Sequence, residues 1–142
     1  MRLTNQTQRI EALRRVPLLA GLSRAKLGEL AHRAEEVNVP KGAYLTREGV
    51  SGAEVYVVLD GSFVIRQGSQ KKDTLKTGQV FGEMSLIDGL PRTANVVAER
   101  ACVVLAVHRK DFSQLLDSPR ITQGIMRSLA QRLRESDSKV RG

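Results

Sequence analysis

Residues 81–94 decide how this chain is organised, and they read Phe81-Gly82-Glu83-Met84-Ser85-Leu86-Ile87-Asp88-Gly89-Leu90-Pro91-Arg92-Thr93-Ala94. Phe81 and Gly82 close one extended segment, and residues 83–88 predict a single short helical turn that Gly89 caps. The Pro-Arg-Thr-Ala run then leads directly into the apolar alternation of residues 94–98, which is typical of a strand. The stretch therefore predicts a short helical turn held between two extended segments.

This helical turn offers the chemistry of an anion site. A short helix that opens on Gly-Glu exposes unpaired backbone N–H groups at its N-terminus, where the peptide dipoles favour an anion. Gly82 has no Cβ and allows a close approach of the backbone. Arg92 supplies a planar fork of donors that suits phosphate oxygens, and Glu83 is an acceptor that suits a sugar hydroxyl. Together these groups predict a pocket for a sugar phosphate.

The runs Phe-Gly-Glu-Met-Ser-Leu and Pro-Arg-Thr-Ala resemble the phosphate-binding cassette of cyclic-nucleotide-binding domains. These domains occur in cyclic-AMP receptor transcription factors, protein kinase regulatory subunits and cyclic-nucleotide-gated channels. The resemblance implies that Glu83 binds the ribose 2′-hydroxyl and that Arg92 binds the cyclic phosphate. It also implies a cradle completed by backbone groups of Gly82, Ser85 and Ala94 and by the hydroxyl of Thr93. The alternative interpretation is a surface turn in which Glu83 and Arg92 pair with each other.

The middle of the chain predicts a fold rich in β-structure. From Glu35 the apolar period changes from 3.6 to 2 residues, and short strands separated by turns follow without helices between them. Residues 54–59 and 62–67 flank Asp60-Gly61, which is a strong signal for a two-residue hairpin. We therefore expect an α+β fold that is mainly β, an antiparallel β-roll or jelly roll flanked by N-terminal and C-terminal helices.

Helical periodicity occurs at both ends of the chain. Residues 4–16 predict a helix with Thr4 or Asn5 as its cap, and Ser23 caps a second helix over residues 24–34. The residues expected to be buried on the second helix are Ala25, Leu27, Leu30 and Ala31. We expect one domain over residues 1–142, with a helical segment at 1–34, a β-roll at 35–110 containing the cassette at 81–94, and C-terminal helices at 111–142.

The apolar pattern of the C-terminal helices predicts one side that faces the core and another that forms an interface with a second chain. In residues 111–116 we expect Phe112, Leu115 and Leu116 to face inward, and Ser118 followed by Pro119 begins the last helix. Apolar residues of that helix recur every four positions at Ile121, Ile125, Leu129 and Leu133. A second apolar row runs through Met126 and Val140. In the resembled family this helix forms a dimer seam and covers the pocket, which implies a homodimer.

Residues 131–140 resemble the helix that precedes the hinge in the cyclic-AMP receptor family. The family's adenine-contacting hydroxyl positions match Ser136 and Asp137, and the carboxylate of Asp137 departs from the pattern. The chain stops at Gly142 without a recognition helix, so we expect no direct DNA binding by this chain alone. The sequence leaves open whether the chain is the sensor half of a regulator or a free-standing sensor.

The expected site binds cyclic AMP or cyclic GMP, and it contains neither a cofactor nor a metal. Asp137 and Thr93 leave the choice of purine open, because a hydroxyl after the cassette Arg is often associated with cyclic GMP in the family. The expected ligand-binding residues are Phe81, Gly82, Glu83, Met84, Ser85, Arg92, Thr93, Ala94, Ser136 and Asp137.

Charge, cysteine content and apolar run length limit the classes of protein to which this chain can belong. The net charge of +8 is concentrated near the two ends, where the Arg residues occur at helical spacing among acidic residues, as on a solvated face. A single cysteine, Cys102, excludes a disulfide framework. No apolar run approaches the length of a membrane span, so we expect a cytoplasmic protein with no membrane partner.

Three other interpretations compete with a cyclic-nucleotide sensor. A metal-dependent jelly-roll enzyme needs clustered ligands, and the two histidines, His32 and His108, cannot form a three-ligand site by themselves; we therefore expect no enzyme. A scaffold module that has lost its ligand would be expected to lose Arg92 or Glu83, and both are present. The third interpretation is the excised effector half of a transcription regulator that binds a different small effector.

Overall fold

The computed structural model describes residues 4–141, and side chains as far as Ser136. Within this range the helices are α1 (Gln6–Leu13), α2 (Arg24–Arg33), α3 (Arg109–Leu115) and α4 (Pro119–Arg141), with a short 3-10 helix at Glu83–Leu86. The strands are β1 (Glu35–Val39), β2 (Tyr44–Thr46), β3 (Glu54–Asp60), β4 (Ser62–Gln67), β5 (Gln70–Lys76), β6 (Val80–Phe81), β7 (Asn95–Ala98) and β8 (Cys102–His108).

The strands form two antiparallel sheets that enclose an apolar core. The first sheet has the order β1-β8-β3-β6 and the second has the order β2-β7-β4-β5. Val58 and Val104 of the first sheet pack in one cluster with Phe63 and Val96 of the second, and all four are almost fully buried. The predicted class, a mainly β roll flanked by helices at both ends, is confirmed.

A second apolar cluster lies between the first sheet and the helices. Val55 and Val57 of β3 alternate with the inward-facing residues of the same strand and pack outward, where they contact helical residues such as Leu13 and Phe112. Strands β3 and β8 are therefore buried on both faces, which accounts for their nearly continuous apolar sequence. No helix of the described residues is long and apolar enough to cross a membrane.

The helix caps follow the local sequence signals. Asn5 caps α1, where its side chain accepts from the N–H of Gln8 at 2.8 Å and the Gln8 side chain accepts from the N–H of Asn5 at 2.9 Å. Ser23 caps α2 by accepting from the N–H of Lys26 at 3.2 Å. This capping-box geometry satisfies backbone donors that a helix start leaves free.

The prediction that the side chain is buried in the core is wrong at three positions. Ala25 is exposed, Leu116 is 39% exposed and Leu133 is 72% exposed. Leu116 lies one residue beyond the end of α3. On α4 the residues that pack against the body end at Leu129, so the helix continues beyond the surface that could bury Leu133.

The predicted hairpin at Asp60-Gly61 is also wrong. Strand β3 pairs with β6 and β8, whereas β4 pairs with β5 and β7, so the chain passes from one sheet to the other at Gly61. A type I′ turn needs positive φ at both central residues, and within residues 4–141 only glycines have positive φ. Asp60 is not among them, so this dipeptide does not form that turn.

Gly61 is expected to be indispensable at this sheet crossing. Its φ is +141°, and a Cβ at this position would contact Cys102 Sγ and lie 2.6 Å from Cys102 Cβ. Gly61→Ala should therefore lower the free energy of unfolding by about 2–5 kcal/mol, as the sum of backbone strain and overpacking. Urea denaturation measures this loss.

Gly68 provides the matched control for that substitution. Its φ is also positive, +60°, but a Cβ there would meet nothing within 4 Å. Gly68→Ala should cost only the strain of a left-handed residue, about 1–2 kcal/mol. Equal losses in the two variants would show that the contact with Cys102 has no energetic importance.

Candidate functional site

A cavity of about 830 Å³ opens at one end of the roll. Its walls are the edge strands β5 and β6, residues 82–93 and the segment after α1. We call it the cassette cavity. Of the residues expected in the ligand site, those that line it are Phe81, Gly82, Glu83, Met84, Ser85, Arg92 and Thr93.

Two hydrogen-bonded segments hold the cassette in place. The N–H of Gly49 donates to the carbonyl of Arg92 at 2.9 Å, and the N–H of Arg92 donates to the carbonyl of Val50 at 2.8 Å. The N–H of Gly52 donates to the carbonyl of Leu90 at 3.0 Å. The loop before β3 therefore fixes the backbone on both sides of Arg92.

Arg92 is the most constrained of the expected site residues. Its side chain is only 9% exposed, Nη1 donates to Ser85 Oγ at 2.7 Å and Nη2 donates to the carbonyl of Glu54 at 2.6 Å. Among the described side chains no carboxylate lies within 4.0 Å of it. The alternative in which Glu83 and Arg92 pair with each other is therefore wrong.

A buried guanidinium that only neutral groups contact is incompletely stabilised. Burying a charge is costly unless an opposite charge and hydrogen bonds compensate it. Ser85 and Glu54 supply the hydrogen bonds, and the rings of Phe81 and Tyr56 lie with their centroids 5.6 and 5.7 Å from the guanidinium carbon. The arrangement presents a fixed positive charge to an anion in the cassette cavity.

Gly82 is required for this placement of Arg92. Its φ is +85°, and a Cβ at Gly82 would contact Arg92 Nη1 and lie 2.9 Å from the Glu54 carbonyl oxygen. The helical turn after it is a four-residue 3-10 helix, shorter than the residues 83–88 expected from sequence. So short a helix has a small dipole, so the positive potential at the cavity depends mainly on the charge of Arg92.

Tyr56 connects this charge to a neighbouring carboxylate. Its hydroxyl donates to Glu54 Oε2 at 3.0 Å. Burial, and after it the charge and hydrogen bond of Glu54, raise the pKa of Tyr56 to about 12, with Arg92 acting in the opposite direction. The phenol therefore stays protonated at neutral pH, so that it engages the Glu54 carboxylate and adds no negative charge beside Arg92.

Glu83 joins the cassette to both helical segments. Its Oε2 accepts from the N–H of Leu18 at 2.6 Å and lies 3.9 Å from Nη1 of Arg132 on α4. No hydrogen bond to Oε1 occurs among the described residues. The carboxylate therefore anchors the segment after α1 with one oxygen and leaves the other for a donor in the cavity.

The structure does not bring every expected residue to the cavity. Ala94 is 5% exposed and lies behind the wall, where its carbonyl accepts from Thr46 Oγ1 at 3.2 Å. Ser136 is exposed on α4 and does not line the cavity. Asp137 lies outside the residues whose side chains are described.

Sequence reasoning missed the wall of the cavity opposite the cassette. This wall consists of residues from β4 and β5 together with two residues after α1: Ile65, Asp73, Thr74, Leu75, Arg15 and Pro17. The sequence of β5 does not show which of its side chains face the cavity, because that depends on the pairing of β5 with β4.

The remaining titratable groups do not assemble a metal site. Within residues 4–136 no three His, Cys, Asp or Glu side chains are placed to hold a metal ion. His32 is exposed on α2, and His108 Nδ1 accepts from the N–H of Lys110 at 3.2 Å, so it caps α3. Both histidines have the structural positions that their elements predict.

A second cavity, of about 560 Å³, lies between β1 and β2 at the other side of the roll. Its charged lining includes Glu35, Glu54 and Asp111, and its one arginine, Arg33, is 3.5 Å from Asp111. Arg33 is thus already paired with a carboxylate, whereas Arg92 of the cassette cavity has no carboxylate within 4.0 Å among the described side chains. The cassette cavity is therefore the better candidate for a phosphate.

Comparison with known proteins relates the chain as a whole to one family. A family model described as the cyclic nucleotide-binding domain matches residues 36–118. A cyclic nucleotide-gated potassium channel from Mesorhizobium japonicum is 34% identical over 118 residues, which cover 82% of this chain and 33% of the channel. The chain spans no more than a third of the length of the channels that it matches.

Two solved structures share the architecture. The N-terminal domain of a transcriptional regulator from Streptomyces coelicolor A3(2) has a TM-score of 0.78 at 31% identity, covering 89% of this chain and 95% of that one. The regulatory domain of Toxoplasma gondii PKA, crystallised with cAMP, has a TM-score of 0.70 at 27% identity. That match covers 92% of this chain and 50% of the other.

Proposed function

We propose, since this chain belongs to the cyclic nucleotide-binding domain family, that its cassette cavity holds the cyclic phosphate against Arg92 and the ribose against Glu83. Domains of this family are regulatory. In this chain the ligand is an effector and takes no part in a reaction. The expected site residues that line the cavity supply the contacts.

The buried Arg92 is the observation that carries this proposal. Its guanidinium is fixed by Ser85 and the Glu54 carbonyl and has no carboxylate within 4.0 Å among the described side chains. A cyclic phosphate provides the missing negative charge and accepts from the free edge of the planar fork. The pairing happens where little water competes, so it contributes strongly to affinity.

Glu83 supplies the second polar contact of the proposed site. A ribose 2′-hydroxyl can donate to Oε1 while Oε2 keeps its hydrogen bond from Leu18. The ligand and the segment after α1 then share one carboxylate. Neither group has to displace the other.

We infer that α4 carries the signal away from the cavity. Arg132 of α4 lies 3.9 Å from the same carboxylate, so a change at Glu83 alters the environment of the helix. On this helix Ile125 packs against the body, whereas Met126 is 62% exposed and Leu133 is 72% exposed. These two exposed residues, seven positions apart, form the face on which a second copy of the chain pairs.

Thermal stabilisation by a panel of nucleotides separates this function from its alternatives. Only a ligand that binds the native state raises the melting temperature. Cyclic AMP or cyclic GMP should do so, and AMP should do so less. A scaffold module would respond to none of the three.

Arg92→Ala should weaken cyclic-nucleotide binding by at least about 30-fold, since truncating a desolvated charge pair costs roughly 2–5 kcal/mol. Arg92→Lys should recover part of the loss, because it restores the charge without the planar fork. Titration calorimetry measures both. Arg47→Ala is the control, since Arg47 is exposed and stacks on Tyr44; an equal loss there would contradict the assignment.

Glu83→Gln should weaken recognition of the ribose hydroxyl, because it replaces a charged acceptor with a neutral one. A charge-assisted hydrogen bond contributes roughly 1.5–3 kcal/mol, so the 2′-deoxy analogue should bind the parent about 10–150-fold more weakly. The same analogue should lose less than about threefold on Glu83→Gln. If the two proteins lose the same factor on removal of the hydroxyl, Glu83 does not contact it.

Leu133→Glu should weaken self-association by at least about tenfold, because it replaces an apolar side chain at the proposed seam with a charge. Sedimentation at several concentrations, with and without nucleotide, measures the equilibrium. Gln123→Glu adds the same charge at another exposed position of α4 and should leave association unchanged. A parent protein that stays monomeric in both conditions would contradict pairing through α4.

A further inference from the structure

Strand β5 contributes the carboxylate of Asp73 to the lining of the cassette cavity. In the β4–β5 ladder Phe63 faces Leu75, and two residues further on Ile65 faces Asp73. Phe63 and Leu75 are buried in the core between the sheets, and Ile65 packs at its edge. Asp73 lines the cassette cavity and is exposed, so its carboxylate is accessible to a ligand there.

Asp73 has little structural use for its charge. Its Oδ1 accepts from the N–H of the next residue, Thr74, at 2.7 Å. Among the described side chains no cation lies within 4.0 Å of it. A carboxylate in a cavity that receives a phosphate repels the ligand, unless the ligand also presents hydrogen-bond donors to it.

The topology places Asp73 at the end of the cavity away from the phosphate. Arg92 lies on the segment that enters β7, and β5 is separated from β7 by β4. Adjacent strands are about 4.8 Å apart, so β5 lies about 10 Å across the sheet from β7. With its phosphate on Arg92, a nucleotide whose base extends toward β5 would bring the polar edge of that base to Ile65 and Asp73, which line the same cavity.

We propose that Asp73 is the residue that determines purine specificity in the cavity and that it selects guanine, which makes cyclic GMP the preferred ligand. The inference rests on the proposed function. A carboxylate only accepts hydrogen bonds. Guanine presents two adjacent donors, N1–H and the N2 amino group, which match the two carboxylate oxygens as a bidentate pair.

Adenine lacks this match. Its amino group at N6 is a donor, but the adjacent N1 is an acceptor whose lone pair faces the second carboxylate oxygen. One hydrogen bond is then offset by one repulsive contact, and a polar group in the site is left unpaired. Discrimination therefore comes from both the gain with guanine and the penalty with adenine.

Titration calorimetry of the whole chain with cyclic GMP, cyclic AMP and cyclic IMP tests the assignment. Cyclic IMP keeps N1–H and lacks the N2 amino group. The parent should bind cyclic GMP at least about tenfold more tightly than cyclic AMP, with cyclic IMP between them. Asp73→Asn offers one acceptor and one donor, which suits adenine, so it should bring the two affinities within about threefold or favour cyclic AMP.

Asp88→Asn is the matched control. Asp88 also lines the cavity, but it belongs to the cassette, where Oδ1 accepts from the N–H of Leu90 at 3.0 Å. Its substitution removes the same charge from the same cavity and should change both affinities by one common factor. The preference for cyclic GMP should remain.

The outcomes test the role of Asp73 separately from the proposed function, which is the binding of a cyclic nucleotide. If both nucleotides bind through Arg92 but the parent prefers cyclic AMP, or Asp73→Asn keeps the parent's preference, the role of Asp73 is overturned and the proposed function stands. If no cyclic nucleotide binds, both are overturned. A cyclic GMP preference that Asp73→Asn removes and Asp88→Asn retains supports the assignment.

Discussion

The guanidinium of Arg92 lies against two glycines, Gly82 and Gly52, and a side chain would not fit at either of them. A Cβ on Gly82 would contact its Nη1, and a Cβ on Gly52 would lie 3.2 Å from its central carbon and 2.9 Å from Ser85 Cβ. The two glycines belong to different segments, one before β3 and one after β6. Three backbone hydrogen bonds from residues 49–52 hold the chain on both sides of Arg92. The charge is therefore fixed before any ligand arrives, and binding does not have to order this side chain.

Strand β3 connects this charge to the rest of the molecule. The carbonyl of Glu54 accepts from Arg92, and Tyr56 donates to the Glu54 side chain. Val55 and Val57 on the opposite face pack against the helices. On the other side of the cavity, Glu83 contacts both Leu18 and Arg132. A ligand that binds Glu83 at the proposed site is therefore linked through this one residue to the segment after α1 and to α4. The first sheet lies between the helices and the core of the roll. Such contacts are what a ligand needs if it is to favour one position of α4 over another.

Much of the fold could be predicted because its signals are local. Asn5 and Ser23 cap their helices as side-chain chemistry requires, and the change from helical to alternating periodicity at Glu35 coincides with the start of β1. The cassette could be recognised for the same reason, since Gly82, Glu83 and Arg92 lie within eleven consecutive positions. Their roles in binding stay predictions. The error at Asp60-Gly61 has a physical origin: a dipeptide favours a turn through local chemistry, but whether two strands pair is decided across the whole sheet, and here β3 lies between β8 and β6 while β4 belongs to the other sheet.

The amino-acid sequence by itself determined the class of fold, the order of the elements and the short segment that carries Arg92 and Glu83, because periodicity, caps and glycine positions act over a few residues. Only the tertiary structure decided that Arg92 is buried without a carboxylate beside it, that Glu83 contacts Leu18 and Arg132, and that Asp73 shares the cavity with them. These contacts join residues far apart along the chain. They depend on which strands pair and in which register, and a shift of one residue in that register would turn Asp73 away from the cavity.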